Sequence, residues 1–202
     1  VETDRIQVPA GGGQIVPVHR YRVGTVKPVR LVVEGLPVGV HIENNLLSNS
    51  RNKTLIRFTA EESGLCQSLI RIVGNWQTAQ GPATTSVLSP ETPVSRYQPQ
   101  LRSELGFAVT DPAGFQVDWK SSQDDSVVAG STWVTSVAVS RWSEVLGRIR
   151  LTVVTNQQLS TELEEEQRTL RAIRLLSPVD ISHDERERQL QIIVPPDLPP
   201  GP

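Results

Sequence analysis

The chain has no methionine, one cysteine, three histidines and few aromatics: four Trp, three Phe and two Tyr among 202 residues. A single thiol, Cys66, excludes an internal disulfide and any multi-cysteine metal site. In Cys66-Gln67-Ser68-Leu69-Ile70-Arg71-Ile72 it shares a strand face with Ile70 and Ile72, so it reads as a small buried hydrophobe rather than a reactive thiol. His19, His41 and His183 lie far apart, and none has a metal-ligand spacing such as H-x-x-x-H. No G-x-S-x-G elbow is present to expose a nucleophilic serine. Net charge is -2, and no basic stripe offers the phosphate-neutralising surface that nucleic-acid binding needs. No apolar run approaches the about 20 residues of a membrane span. No secretory signal is visible, and the chain opens at Val1. It therefore reads as a processed or excised piece of a longer product, in which a missing signal says nothing about compartment.

What the chain does have is an internal echo. Val8-Pro9-Ala10-Gly11-Gly12-Gly13-Gln14-Ile15-Val16-Pro17-Val18 is matched by Val127-Val128-Ala129-Gly130-Ser131-Thr132-Trp133-Val134-Thr135-Ser136-Val137. Val29-Arg30-Leu31-Val32-Val33 is matched by Ile149-Arg150-Leu151-Thr152-Val153. Two separated segments repeating at a near-constant offset of about 120 residues imply two copies of one module. With 37% hydrophobic residues, each half has enough apolar side chains for its own core, and the length suits two domains of about 100 residues.

The first copy reads as short strands broken by turn chemistry. Val16 and Val18 fall on one face, Ile56 and Phe58 on another, and Ala10–Gly13 and Gly35–Val40 supply turns. Short runs at this spacing indicate a β-sandwich. The expected division is a sandwich over residues 1–76, a proline-rich connector over 77–104 that packs in part on a sheet or forms an edge strand, and a second sandwich over 105–202. The second sandwich is expected to start with Phe107–Thr110 and Phe115–Trp119. It carries a charged insertion over 156–186, where Thr161-Glu162-Leu163-Glu164 resembles a capping box for a helix over Glu162–Arg171. Aligning Gly64 with Gly201 leaves the second copy without its last strand, so an open sheet edge is expected there. One core should hold Val16, Val18, Leu31, Val33, Ile70 and Ile72; the other should hold Val137, Val139, Leu151 and Val153.

Particular strings resemble a known group. Val33-Glu34-Gly35-Leu36-Pro37-Val38-Gly39-Val40 is similar to a segment of bacterial Ig-like modules. Arg96–Leu105, Val109-Thr110-Asp111-Pro112, Thr169-Leu170-Arg171 and Ile193–Pro200 resemble the tandem Ig-like region of planctomycete-type large secreted proteins that carry pre-peptidase C-terminal domains. The resemblance covers most of the chain and rests on structural motifs. It implies an all-β fold of two tandem immunoglobulin-like β-sandwiches in a secreted, periplasmic or cell-surface protein. Such modules act as spacers or adhesive units, and no catalytic residue is carried over.

The function expected is therefore non-catalytic: a structural, spacer or adhesion module whose partners are other domains of the same longer chain. Two alternatives stand beside it. One is a carbohydrate- or protein-binding module that uses the 156–186 insertion together with Trp119 and Trp142, the ligand-contacting candidates at strand ends, since an exposed indole face stacks on a sugar ring. Trp133 shares a face with Val137 and Val139 and reads as core. The other is an accessory domain of an extracellular hydrolase. No cofactor is expected apart from calcium, for which Asp124 and Asp125, and Asp180 with Asp184, are the carboxylate candidates; the same residues also suit solvated turns.

Overall fold

The computed structural model describes residues 1–20, 27–48, 52–62, 64–120, 127–142, 144–155, 157, 159 and 163–198. It is mostly β and divides into two compact units, Val1–Ala113 and Gly114–Pro202.

The first unit contains β1 (Arg5–Pro9), β2 (Gly13–His19), β3 (Val29–Glu34), β4 (Val40–Glu43), β5 (Leu46–Leu47), β6 (Lys53–Ala60), β7 (Cys66–Thr78), β8 (Gly81–Ser86), the short helix α1 (Pro93–Tyr97) and β9 (Leu105–Thr110). They form two sheets. One runs β1-β9-β7-β3-β5 with β8 also on β7; the other runs β2-β6-β4. Period-2 alternation explains the facing. Val16 and Val18 of β2 and Ile56 and Phe58 of β6 point into the same core as Leu31, Ile70 and Ile72. Val33 and Cys66 pack against that core half-buried. Phe58 and Phe107 meet across the two sheets, with ring centroids 5.7 Å apart. Pro17 sits within β2, and β2 is an edge strand, where a missing N–H breaks no ladder bond.

The boundary differs from the one expected at 104/105. Leu105–Thr110 does not open the second unit. As β9 it runs parallel to β1 and antiparallel to β7, and it buries Leu105, Phe107 and Val109 in the first core. The break falls after the Asp111-Pro112-Ala113 turn instead. The connector is also more structured than its prolines suggest. Part of it, as β8, pairs with the far half of β7 in a hairpin. Thr92 then caps α1: the Ser95 amide donates to Thr92 Oγ1 at 3.1 Å and the Thr92 amide donates to Ser95 Oγ at 2.8 Å, with Pro93 in the first turn. Ser89, which is buried, receives a bond from Arg102 Nε at 3.2 Å, and its amide donates to the Arg102 carbonyl at 2.7 Å.

The second unit contains β10 (Phe115–Lys120), β11 (Thr132–Arg141), β12 (Ile149–Leu151), helix α2 (Glu165–Arg171), β13 (Arg174–Leu175), β14 (Val179–Ile181) and β15 (Glu187–Ile193). One sheet runs β10-β11-β15-β13 and a second pairs β12 with β14. Val137, Val139, Ile149, Val179, Ile181 and Leu190 form its core, with Leu151 half-buried against it. Val153, expected in that core, lies beyond the end of β12 in an irregular stretch. The helix starts later than expected. Glu164 is its N-cap and makes no side-chain capping bond, and Thr161 lies outside the described residues. Glu165 and Glu166 occupy the first turn and Arg168 and Arg171 the last, which suits the helix dipole. The insertion is tied down by Gln157, whose Oε1 accepts from the Ile173 amide at 2.7 Å and whose amide nitrogen donates to the Arg171 carbonyl.

The two pairing schemes run in parallel. β11-β15-β13 follows the order β2-β6-β4, and β12-β14 follows β3-β5. β10 is added outside β11. Among the described residues, β12 pairs with β14 alone, whereas β3 pairs with both β5 and β7.

Candidate functional site

The candidate site is the β10 face of the second unit. The sequence Phe115-Gln116-Val117-Asp118-Trp119 alternates, and β10 pairs antiparallel with β11: Phe115 opposite Arg141, Val117 opposite Val139, Trp119 opposite Val137. Directly paired residues lie on the same side of a sheet. Phe115, Val117 and Trp119 therefore share the face of Val137 and Val139, which are 2% and 3% exposed. Yet they are 39%, 37% and 47% exposed. The result is an apolar row that points the way a core row does and remains open to solvent. Trp119 leans on Trp133 with centroids 5.4 Å apart and planes tilted by 44°, a geometry favoured for aromatic pairs. Trp133 is half-buried, so its expected core placement holds in part.

Trp142 stands apart from this row. It is 57% exposed just after β11, with its amide bonded to the Gly114 carbonyl at 2.9 Å and its carbonyl accepting from Val145 at 3.0 Å. Beside it, Arg141 fastens the end of the strand. Its Nη2 donates to the carbonyls of Ile181 and Ser182, both at 2.9 Å, and its Nη1 donates to Gly147. The outward face of β10 is polar. Lys120 Nζ meets Glu187 Oε2 at 2.7 Å, and that bond and charge hold the Glu187 carboxyl below its usual range.

The calcium candidates divide. Asp124 and Asp125 lie outside the described residues. Asp180 accepts from Arg150 Nε at 3.0 Å, which depresses its pKa, and Asp184 is lowered first by its bond with Ser182. The histidines sit on separate elements. His19 faces Glu2 at 2.8 Å, His41 faces Glu61 at 3.5 Å, and His183 is 4.0 Å from Asp184. In the first unit, a shallow concavity of about 570 Å³ runs over the row Leu46–Arg30–Asn75–Thr84, which crosses β5, β3, β7 and β8 in register.

Reasoning from sequence singled out Trp119 and missed Phe115 and Val117 as its partners. The signal was present in the period-2 spacing of 115, 117 and 119. No family model matches the sequence, and no curated protein matches it either.

Proposed function

We propose that the chain is a non-catalytic connecting region of a secreted or cell-surface multidomain protein, built from two immunoglobulin-like β-sandwich modules. The observation that carries the reading is the recurrence of one strand-pairing order, β2-β6-β4 with β3-β5 and β11-β15-β13 with β12-β14; β11 and β12 follow β2 and β3 at the offset of the sequence echo, and β13, β14 and β15 are displaced further by the insertion. A twice-used sandwich grammar suits spacing and adhesion, because its side chains serve packing and turns. The test is replacement. Exchanging the region in its parent protein for an unrelated pair of β-sandwiches of equal length should preserve that protein's function. Loss of function on exchange overturns the spacer role.

A second reading, a carbohydrate- or protein-binding module, is favoured by the open row Phe115–Val117–Trp119. Under it, Trp119→Ala abolishes capture on a glycan or protein array while leaving the unfolding midpoint within a few degrees. Equal capture by the wild type and the variant removes that reading.

A further inference from the structure

The unfilled flank of the second unit is defined by the first. There, β5 reaches only Val29 and Arg30 of β3. The remainder of β3 is held by β7: Leu31 opposite Gly74, Val33 opposite Ile72, Glu34 opposite Arg71. β7 in turn carries β9, which carries β1, and β1 lays Ile6 and Val8 in the core with Val16 and Val18 of β2. In the second unit, β14 reaches Ile149–Leu151 of β12 and the strand stops there. Thr152 and Val153, which stand where Val32 and Val33 stand in the sequence echo, form no strand. Among the described residues nothing pairs the second edge of β12, and Phe115, Val117 and Trp119 of β10, a strand with no counterpart in the first unit, stay partly open to solvent on the core-facing side of their sheet. Three separate features thus coincide: an unpaired edge, a strand cut short where β7 would hold it, and an open apolar row on the facing sheet.

We propose that the second unit takes up an extended polypeptide strand, which pairs antiparallel with β12, draws residues 152–154 into the ladder and covers the Phe115–Val117–Trp119 row. This is strand addition at a sheet edge, where main-chain bonds supply affinity and alternate side chains supply specificity. The occupant has the chemistry of β7: aliphatic residues at alternate positions, with a small residue opposite Leu151. Gly74 plays that part in the first unit, where a Cβ would lie 2.9 Å from Val29 Cγ1. A stacked saccharide would use Trp119 and leave the β12 edge and the truncated strand without a role. A second copy of the chain has its own β7 engaged on both sides.

The proposal goes beyond the spacing role; it rests on the binding reading above and names its surface and the class of its protein partner. Its test uses the full chain and a synthetic peptide copying residues 66–74 with Cys66→Ser, at about 1 mM, the scale of a tethered strand. Hydrogen exchange at residues 151–154 should slow by about tenfold or more. Thr152→Pro and Val153→Pro each remove one N–H; one of the two points to the open edge, and that variant should lose the protection. Trp119→Ala, on another strand, should weaken peptide binding by about tenfold and keeps the test decisive if a proline variant unfolds. A peptide carrying Ile70→Pro should have no effect. The proposal is overturned if residues 151–154 gain no protection, if protection survives in both proline variants, or if a soluble oligosaccharide quenches Trp119 fluorescence while the peptide does nothing. These outcomes leave the connecting role itself standing, because that role is read by segment replacement.

Discussion

At the scale of single residues, the turn after β3 depends on Gly35. Its φ of +76° lies in the left-handed region, and a Cβ there would stand 2.6 Å from the Leu69 carbonyl oxygen, a backbone atom that cannot swing aside. Gly35→Ala should therefore cost the first unit about 1–3 kcal/mol, read as a lower midpoint in denaturant with an unchanged slope. An unchanged midpoint would mean that the turn can relax. The Asp180 carboxylate makes a different prediction. Its bond to Arg150, with the accompanying charge, holds its pKa below the usual value, so the ionised form favours the fold. That contribution is complete above the ordinary Asp range and is lost as pH falls through the lower folded value. The gap in melting temperature between wild type and Asp180→Asn should be small at neutral pH, because both partners are exposed, and should close as pH falls through that lowered value. A gap that widens in acid would assign the effect to packing.

At the scale of elements, β9 separates what was legible from what was not. The strands β2, β3, β6 and β7 could be read directly, because Val16/Val18, Leu31/Val33, Ile56/Phe58 and Ile70/Ile72 alternate and glycines close the runs. Leu105, Phe107 and Val109 alternate equally well, so the strand itself was legible. Its sheet was not, because a parallel pairing with Arg5–Pro9 leaves no local mark in either segment. Sequence proximity to Phe115–Trp119 pointed to the wrong unit. The β12 strand failed in the opposite sense. The echo of β3 makes Ile149–Val153 read as a strand, but a ladder needs a neighbour, and among the described residues only Ile149–Leu151 has one. The Trp119 site was half legible, since residue type flags an indole while exposure depends on what covers the row. A truncation tests the reassignment of β9. A fragment of residues 1–104 keeps every strand of the expected first sandwich but removes the strand between β1 and β7 and uncovers Phe58. It should fail to melt cooperatively, whereas residues 1–113 should melt as one transition. Equal melting of the two fragments would show that β9 is dispensable.

At the scale of the whole chain, the two units differ in how much they bury. Among the described residues, the first core cluster joins Ile6, Val8, Leu31, Ile56, Phe58, Ile70, Ile72, Leu105 and Phe107 with several further aliphatics, from both of its sheets. The second joins Val137, Val139, Ile149, Val179, Ile181 and Leu190, with one of its two sheets only two strands wide. Hydrophobic stabilisation follows buried apolar area at about 25 cal/mol per Å², while each ordered residue costs conformational entropy whether or not it buries a side chain. The second unit must also hold an insertion whose helix α2 buries no residue. Its stability margin should therefore be the smaller one. Expressed separately, residues 114–202 should unfold at least about 5 °C below residues 1–113, a gap that corresponds to roughly 1 kcal/mol for domains of this size. Ile181→Ala, which empties a fully buried site on β14 in the cluster shared with β11, β12 and β15, should cost about 2–5 kcal/mol and bring the isolated second unit close to unfolding at ambient temperature. The same substitution in the full chain should leave exchange protection at Ile56, Ile70 and Phe107 unchanged, because none of these residues belongs to the cluster that Ile181 packs in. Loss of protection at those three positions would show that the two cores unfold as one, and would replace the two-unit account with a single cooperative structure.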